Sequence, residues 1–365
     1  MWGDIAIAFL LAFIVSFSLV PYTIKIAKKI GAVDIPKDNR RMHNKPIPKF
    51  GGPAIIIGFI ISIIYLIVTT SVEGNLNIFG EEGYFLKIIG FTLGMIVLST
   101  FCFFDDIKGI HPLVKLTGQL LAAIIVVSFG IRIDYFELPF LEGNIVLSNT
   151  FSILLTIFWI VGITNAINLI DGLDGLSSGI AIISSISLLI IFALNSSPLI
   201  AIIIVTALVG ALFGFLPFNF NPAKTFIGDI GSNFIGYTLS IVSILGIAKT
   251  ATAFVVVLPL IVLGLPIFDT LSAIIRRLIK GKSLKAVFQA DRGHLHHKLI
   301  DKGFSQKEAV FILYGISVAC GMFAVILFES SIWKALSFGL MVIAVVAIGY
   351  KEFFKLKQEE INKNK

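Results

Sequence analysis

Charge is what this sequence has least of. Of 365 residues only 14% are Asp, Glu, Lys or Arg, against about 25% in a typical soluble domain. Cysteine is almost absent: Cys102 and Cys320 are the only two, which excludes a disulfide scaffold. Both fall inside long apolar runs, where a free cysteine packs as a small apolar side chain. Acidic residues number 22 against 29 Lys and Arg, and there is no low-complexity tract, internal repeat or polar stretch that would form a soluble domain. What fills the chain is apolar, with 57% hydrophobic residues, 33 phenylalanines and a mean hydropathy of +0.98. A water-facing surface cannot absorb that much apolar side chain, so lipid is the solvent for most of it. A soluble enzyme and a disordered chain are both excluded.

A helix crosses a hydrocarbon layer of about 30 Å with roughly 20 apolar residues. Eleven such runs are read, at 5–24, 54–70, 86–104, 113–131, 151–170, 176–194, 199–218, 234–248, 251–268, 310–328 and 332–350. The run at 234–248 is short and polar residues and glycines interrupt 158–180, so ten spans fit the composition as well. The expected fold is all-α, a polytopic integral membrane protein of about 11 transmembrane helices. One transmembrane domain covers 1–350 and a basic, polar tail covers 351–365. No basic segment precedes the first run and positive charges follow it, so it is expected to be an uncleaved span rather than a signal peptide. With the N-terminus outside, the inner segments hold 25 of the 29 Lys and Arg, leaving Lys87, Arg132, Lys249 and Lys334 outside. Positive charge marks the cytoplasmic side, which predicts N-outside, C-inside. The net charge of +7 then signals topology and anionic lipid, not nucleic acid. Of the outer connections only 131–150 has a pattern: alternation through Ile133, Tyr135 and Leu138, then Ile145 and Leu147, around Glu142-Gly143-Asn144, predicts a small hairpin or a surface loop.

Five inner segments carry the unusual chemistry. In R-R-M-H-N-K-P-I-P-K-F-G-G, Arg40 to Gly52, the prolines forbid a continuing helix and Gly51-Gly52 opens a tight entry into the second span; Arg40 and His43 are candidates for an anionic ligand beyond what anchoring needs. In F-F-D-D-I-K-G-I-H-P-L-V-K, Phe103 to Lys115, the adjacent carboxylates Asp105 and Asp106 follow an apolar span directly. Such a pair must bind a cation, share a proton or meet a base, and Lys108 and Lys115 lie close enough in sequence to serve. In T-N-A-I-N-L-I-D-G-L-D-G-L, Asn165, Asn168, Asp171 and Asp174 recur every three residues. Neighbours in that series share a helix face, and Gly172 and Gly175 predict a break that lets the run line a cavity. In F-N-F-N-P-A-K-T-F-I-G-D-I-G-S-N, Asp229 stands between glycines at the start of a span. A carboxylate there suits Mg²⁺, a hard cation that prefers oxygen, or serves as an ordinary helix cap. In A-D-R-G-H-L-H-H-K-L, three of the five histidines, His294, His296 and His297, fall within four residues beside Arg292. No cysteine accompanies them and they do not share one helix face, so phosphate contact fits better than zinc.

One membrane face thus gathers five carboxylates, a histidine cluster and many cations, and no carboxylate lies at mid-span, where a coupled transporter would place it. Carboxylates for Mg²⁺ beside Arg, Lys and His for phosphate oxygens point to phosphoryl transfer at the interface between a lipid head group and a cytoplasmic molecule. At these five segments, in order from about Arg40 to Leu299, the chain resembles the polyprenyl-phosphate N-acetylhexosamine-1-phosphate transferases, the family of phospho-MurNAc-pentapeptide translocase. The resemblance implies a single transmembrane catalytic domain in the bacterial cytoplasmic membrane, with its active-site loops on the cytoplasmic face. It implies transfer of a sugar 1-phosphate from a UDP-N-acetylhexosamine donor to undecaprenyl phosphate with release of UMP, dependent on Mg²⁺ or Mn²⁺, in a protein of a family whose members often dimerise. Carried over to this sequence, it implies a catalytic role for Asp105, Asp106, Asp171, Asp174 and His294, and metal ligation by Asp229 with Asp106. It implies substrate contacts from Arg40, His43, Lys108, Lys115, Asn168, Asn219, Arg292, His296 and His297. The peptidoglycan branch carries three consecutive histidines where Leu295 interrupts the run here, which favours UDP-GlcNAc as donor over UDP-MurNAc-pentapeptide. A lipid-linked-sugar transporter is the reading from another class.

Overall fold

The computed structural model describes residues 2–36, 45–72, 83–136, 145–195, 197–247, 257–281, 293–330 and 332–344. Its helices are α1 (Trp2–Ile30), α2 (Gly52–Val72), α3 (Tyr84–Lys108), α4 (Pro112–Ser128), α5 (Asn149–Ile170), α6 (Leu176–Leu194), α7 (Leu199–Asn219), α8 (Gly228–Ile247), α9 (Val257–Val262), α10 (Gly264–Gly281), α11 (Leu295–Asp301), α12 (Gln306–Glu329) and α13 (Ile332–Ala344). Two antiparallel ribbons interrupt them, β1 (Val33–Asp34) with β2 (Ile47–Pro48) and β3 (Tyr135–Phe136) with β4 (Ile145–Val146). The second is a hairpin, one of the two forms expected in 131–150, with Tyr135 opposite Val146. The first has no alternating signal in the sequence, and its importance lies in carrying Asp34 toward the site.

Helix ends follow local chemistry. Ser305 and Glu308 form a reciprocal capping box at the start of α12, and Ser148 caps α5 by accepting from the Phe151 amide, each satisfying amides that the helix leaves orphaned. Gly109, at φ 66°, ends α3 two residues before His111 and Pro112 open α4. Gly175, at φ 78°, ends the turn between α5 and α6, a left-handed position that glycine occupies without strain. The predicted break in the Asn165–Asp174 series is therefore present, and α5 stops at Ile170 with Asp171 as its C-cap.

Among the described residues seven helices, α1, α2, α3, α5, α6, α7 and α12, are long and apolar enough to cross a membrane, and α4 and α13 are shorter apolar helices. This is a membrane-embedded, polytopic helical protein. The expected continuous span at 251–268 is not what forms. Its described part is the six-residue α9, a break at Leu263 and α10, which runs on to Gly281. Gly264 and Pro266 lower helix propensity at that junction. Beyond it α10 is two-sided: Phe268, Leu271, Ile275 and Ile279 are exposed while Asp269, Thr270 and Ala273 are buried.

The core centres on α7 and α8. α7 packs against α1, α2, α6 and α8, and α8 against α3 and α5, so α7 is buried on nearly every side. The two large polar aromatic side chains buried here find partners, as their N–H and O–H groups require in an apolar surrounding. Tyr237 donates its hydroxyl to the Phe91 carbonyl at 2.8 Å, and Trp159 Nε1 donates to Ser240 O at 3.2 Å and Ser243 Oγ at 3.1 Å. Cys102 is free and buried and Cys320 is free and half-buried. The connections α3–α4, α5–α6 and α7–α8 are short and Gly52 at the start of α2 packs on Gly231 of α8, so the C-terminal ends of α3, α5 and α7 meet the N-terminal ends of α2, α4, α6 and α8 at one end of the bundle, and the site lies there.

Candidate active site

The adjacent carboxylates of α3 have different fates. Asp106 is buried, 2% exposed, and its two oxygens accept the backbone N–H groups of Asp229 and Ile230 at 2.9 and 3.0 Å, with Lys49 Nζ at 3.6 Å. It thus caps α8 from another helix, where the orphaned amides and the helix dipole favour a negative charge. Asp105 accepts the Ile110 amide at 2.9 Å and faces Lys115 Nζ at 3.3 Å. Lys115, one turn into α4, is the hub: its ammonium donates to Asp229 Oδ1 and, at 3.0 Å, to Asn168 Oδ1. Asn168 in turn donates to Asp229 Oδ1 at 2.9 Å and to Ser232 Oγ at 2.8 Å. Asp229 is inside the first turn of α8 rather than its cap; Asp106 takes the capping role.

Gln119, on α4 one turn beyond Lys115, donates to Asn233 Oδ1 at 2.7 Å and accepts from Asn165 Nδ2 at 2.7 Å. This buried amide chain ties α4, α5 and α8 together beneath the charges. α2 comes equally close, because Gly52 and Gly231 face each other: a Cβ on Gly52 would lie 2.4 Å from the Gly231 nitrogen. The Gly52 amide donates to Ile227 O, and Thr225 Oγ1 and the Phe226 amide donate to Pro48 O, so β2 is stitched to the loop that precedes α8.

These elements enclose a cavity of about 400 Å³ lined by Asp34, Lys49, Asn168, Asp171, Gly172, Asp174, Asn219, Gly228, Asp229, Ser232, His297 and Gln306, among others. Four carboxylates face it against one ammonium. Asp171 accepts from Ser177 Oγ at 2.5 Å, and burial pushes its carboxyl up to about 7 in spite of that bond. Asp174 accepts Asn221 Nδ2 at 2.8 Å and the Ala223 amide at 3.0 Å. Asn219 accepts from Ser178 and donates to Thr225 O. Asp105, Asp106 and Lys115 stand behind this wall through Asp229 and Asn168 rather than on it. Lys108 is elsewhere, its ammonium 6.0 Å from the Phe104 ring centroid. Arg40, His43 and Arg292 lie outside the described residues.

The histidines are brought to the opposite side. His297 lines the cavity. His296 is 2% exposed and packs on the Asp171-Gly172 turn so tightly that a Cβ on Gly172 would lie 2.3 Å from its Nε2. Burial, with the neighbouring His297 and His294, drives its pKa down to about 3, so it is neutral. His294 is buried and its Nδ1 lies 2.7 Å from Asp269 Oδ2. Asp269 and Gln119 have no place in the reading from sequence. Asp269 follows the apolar run 251–268 directly, the same signal that marked Asp105 and Asp106; Gln119 is a lone amide inside a span and carries none.

Hard oxygen donors without thiols suit Mg²⁺ or Mn²⁺ rather than a softer ion. Among the described residues no three His, Cys, Asp or Glu side chains stand close enough to form a metal site by themselves. One carboxylate aided by substrate phosphates is the usual protein share of a Mg²⁺ shell, and Asp229 on the cavity wall fits it. Asp106, the other candidate, already gives one lone pair of each oxygen to an α8 amide.

Comparison with known proteins gives the same direction. Residues 88–247 match the model of glycosyl transferase family 4. The chain is 37% identical over 332 residues to the probable undecaprenyl-phosphate N-acetylglucosaminyl 1-phosphate transferase of Bacillus subtilis, covering 91% of this chain and 87% of that one. It is 32% identical over 369 residues to the decaprenyl-phosphate N-acetylglucosaminephosphotransferase of Mycobacterium tuberculosis, covering 94% and 88%. A phospho-N-acetylmuramoyl-pentapeptide-transferase of Staphylococcus epidermidis is 29% identical over 328 residues, covering 86% and 96%. With its charged cavity at one end of a membrane bundle and relatives matched over nearly their whole length, the chain belongs to the polyprenyl-phosphate N-acetylhexosamine-1-phosphate transferase family.

Proposed function

We propose that this protein transfers GlcNAc-1-phosphate from UDP-GlcNAc to undecaprenyl phosphate, giving undecaprenyl-pyrophosphoryl-GlcNAc and UMP, as the first membrane step of a cell-surface glycan. The site end of the bundle faces the cytoplasm, across the bacterial cytoplasmic membrane from the N-terminus. The observation that carries this reading is the cavity that brings Asp171, Asp174, Asp229 and Asn168 together beside Lys115, in a chain 37% identical to a protein with that activity in its name.

An ionised lipid-phosphate oxygen attacks the sugar-bearing phosphorus of the donor, a new P–O bond forms, and the bond to UMP breaks. Asp229 would hold Mg²⁺ or Mn²⁺, which when bound would supply charge neutralisation for the donor phosphates. Lys115 holds Asp229 and Asn168 in place and adds a fixed positive charge where negative charge accumulates. Asn219, deep in the cavity, and His297 on its far wall face the donor. Direct attack is favoured over an aspartyl intermediate, because both oxygens of Asp106 already accept α8 amides and Asp105 is held by the Ile110 amide and Lys115. Inversion at a chiral donor phosphorus is the expected outcome; retention would require the covalent route.

The test is product identification by mass spectrometry from purified protein, Mg²⁺, undecaprenyl phosphate and a panel of UDP-sugars. UDP-GlcNAc should give UMP and the pyrophosphoryl lipid. Turnover of UDP-MurNAc-pentapeptide instead would move the chain to the peptidoglycan branch, and absence of UMP release from every donor would leave transport of a lipid-linked sugar.

A further inference from the structure

We infer that Asp269 is a positioning residue for the transfer reaction: from α10 it clamps the start of the histidine segment, so that His296 seats on the Gly172 turn and His297 reaches the cavity. The inference rests on the functional reading above, which gives those histidines a site to serve.

Asp269 is 1% exposed and uses both carboxylate oxygens on one short stretch of chain. Oδ2 meets His294 Nδ1 at 2.7 Å and Oδ1 accepts the Leu295 amide at 2.8 Å. Burial alone would raise this carboxyl, but the hydrogen bonds from His294 and from the Leu295 amide hold it below the usual range. An ionised carboxylate accepts only, so His294 must carry a proton on Nδ1, and Nε2 is its remaining ring nitrogen. That nitrogen faces the guanidinium of Arg277, with Nη2 at 3.4 Å, and a guanidinium only donates. Both ring nitrogens of His294 are therefore occupied, and this imidazole links α10 to the segment instead of pointing into the cavity. From it the rings step toward the site: His294 and His296 lie 5.7 Å apart and 13° from parallel, and His296 and His297 lie 4.3 Å apart.

Asn at 269 has the right shape and the wrong chemistry. Its oxygen can still accept from Leu295, but its NH₂ would face His294 Nδ1 and force the proton to Nε2, against a donor-only guanidinium. Glu keeps the charge and both acceptors. A residue that merely filled space would not separate these two variants.

The experiment uses the purified full-length protein with UDP-GlcNAc and undecaprenyl phosphate, comparing Asp269→Asn, Asp269→Glu, Asp269→Ala, His294→Ala and the double Asp269→Ala/His294→Ala variant. Misplacing a group by about 1 Å costs about 100-fold in rate, so Asp269→Asn should lose about 30- to 100-fold in kcat/KM. Asp269→Glu should stay within about tenfold of the parent. Because the two residues act as one unit, the double variant should be no worse than the worse single one. A second readout needs no turnover: diethyl pyrocarbonate labelling mapped by mass spectrometry should leave His296 unmodified in the parent and modify it in Asp269→Asn at temperatures where both are folded. Parent-like turnover and labelling in Asp269→Asn, or losses that simply add in the double variant, would overturn the inference. Should Asp269→Asn fail to fold, an Asp269→Glu protein as inactive as Asp269→Ala overturns it equally. A parent inactive with every UDP-sugar refutes the functional reading alone, since the labelling pattern still reports on Asp269.

Discussion

The two walls of the cavity are built by different means. One wall comes from the ends of α3, α4, α5 and α8, where Asp229 and Asn168 face the cavity, Lys115 behind them is shared between Asp229 and Asp105 so that carboxylate stays in excess, and a buried Gln119–Asn165–Asn233 chain braces them. The other comes from the short segment Gly293–His297, whose three imidazoles depend on one carboxylate, Asp269. On the first wall charge is fixed by helices that cannot shift independently. On the second, burial keeps His296 uncharged, and the rings contribute shape and hydrogen-bonding atoms. A reaction between two anions needs that excess of carboxylate offset by a cation, and imidazoles on the facing wall supply hydrogen-bonding atoms without adding to it.

The sharpest way to break the comparison is to remove the charge of the first wall. Asp229→Asn keeps the hydrogen bonds of the first turn of α8 and deletes the anion that faces the cavity, and Lys115→Met deletes its partner. Loss of a preorganised electrostatic group typically costs about 100- to 1,000-fold in kcat. Both variants should fall in or below that range at a temperature where each is folded; Lys115→Met should also melt lower than the parent, because it leaves Asp105 and Asp229 without their shared cation. Asp229→Asn should also abolish any rise in melting temperature on adding Mg²⁺. More than a tenth of parent turnover in Lys115→Met would remove the ammonium from the chemistry and reduce it to a helix tie.

A smaller effect is expected where the walls touch. Gly172 has ordinary backbone angles for any residue, since it is not among the positive-φ glycines, so alanine is strained there only through His296, which a Cβ would meet at 2.3 Å. Gly172→Ala should therefore displace the ring and reduce kcat/KM by about 10-fold, in line with a sub-ångström to 1 Å misplacement. In a His296→Ala background the same substitution should cost nothing further. An additive loss would mean that Gly172 serves the cavity through its backbone and not through the ring above it.

The first wall was legible in the sequence and the second only in part, for a physical reason. Asp105, Asp106, Asp171, Asp174 and Asp229 stand out because a carboxylate beside an apolar run is costly and rare, and the break at Gly172 and Gly175 follows from residue type. That Asp106 would cap α8 from 123 positions away, leaving Asp229 to face the cavity, depends on how α3 packs against α8, which no local pattern encodes. The span at 251–268 looked continuous because hydropathy averages over Gly264 and Pro266, whereas the backbone breaks there, and Asp269 sits just past the end of that run. Gln119 and the β1–β2 ribbon are tertiary features altogether.

The smallest expected effect concerns Asp171, whose carboxyl burial holds up to about 7, against about 3.9 for an unperturbed Asp. Below about pH 4 it is protonated in folded and unfolded protein alike and does not alter stability. Between about 4 and 7 the unfolded chain loses its proton while the folded protein keeps it, so the folded state binds more protons and stability falls as pH rises. Above 7 both states are ionised and the penalty is constant. Asp171→Asn has no proton to exchange. Its melting temperature relative to the parent, measured without divalent cation, should therefore climb from pH 4 to 7 and level off above that, by a few degrees at most because the Ser177 hydroxyl also stabilises the anion. A difference that stays flat across that range would mean that water reaches the Asp171 carboxylate freely, and that the floor of the cavity is as solvated as its mouth.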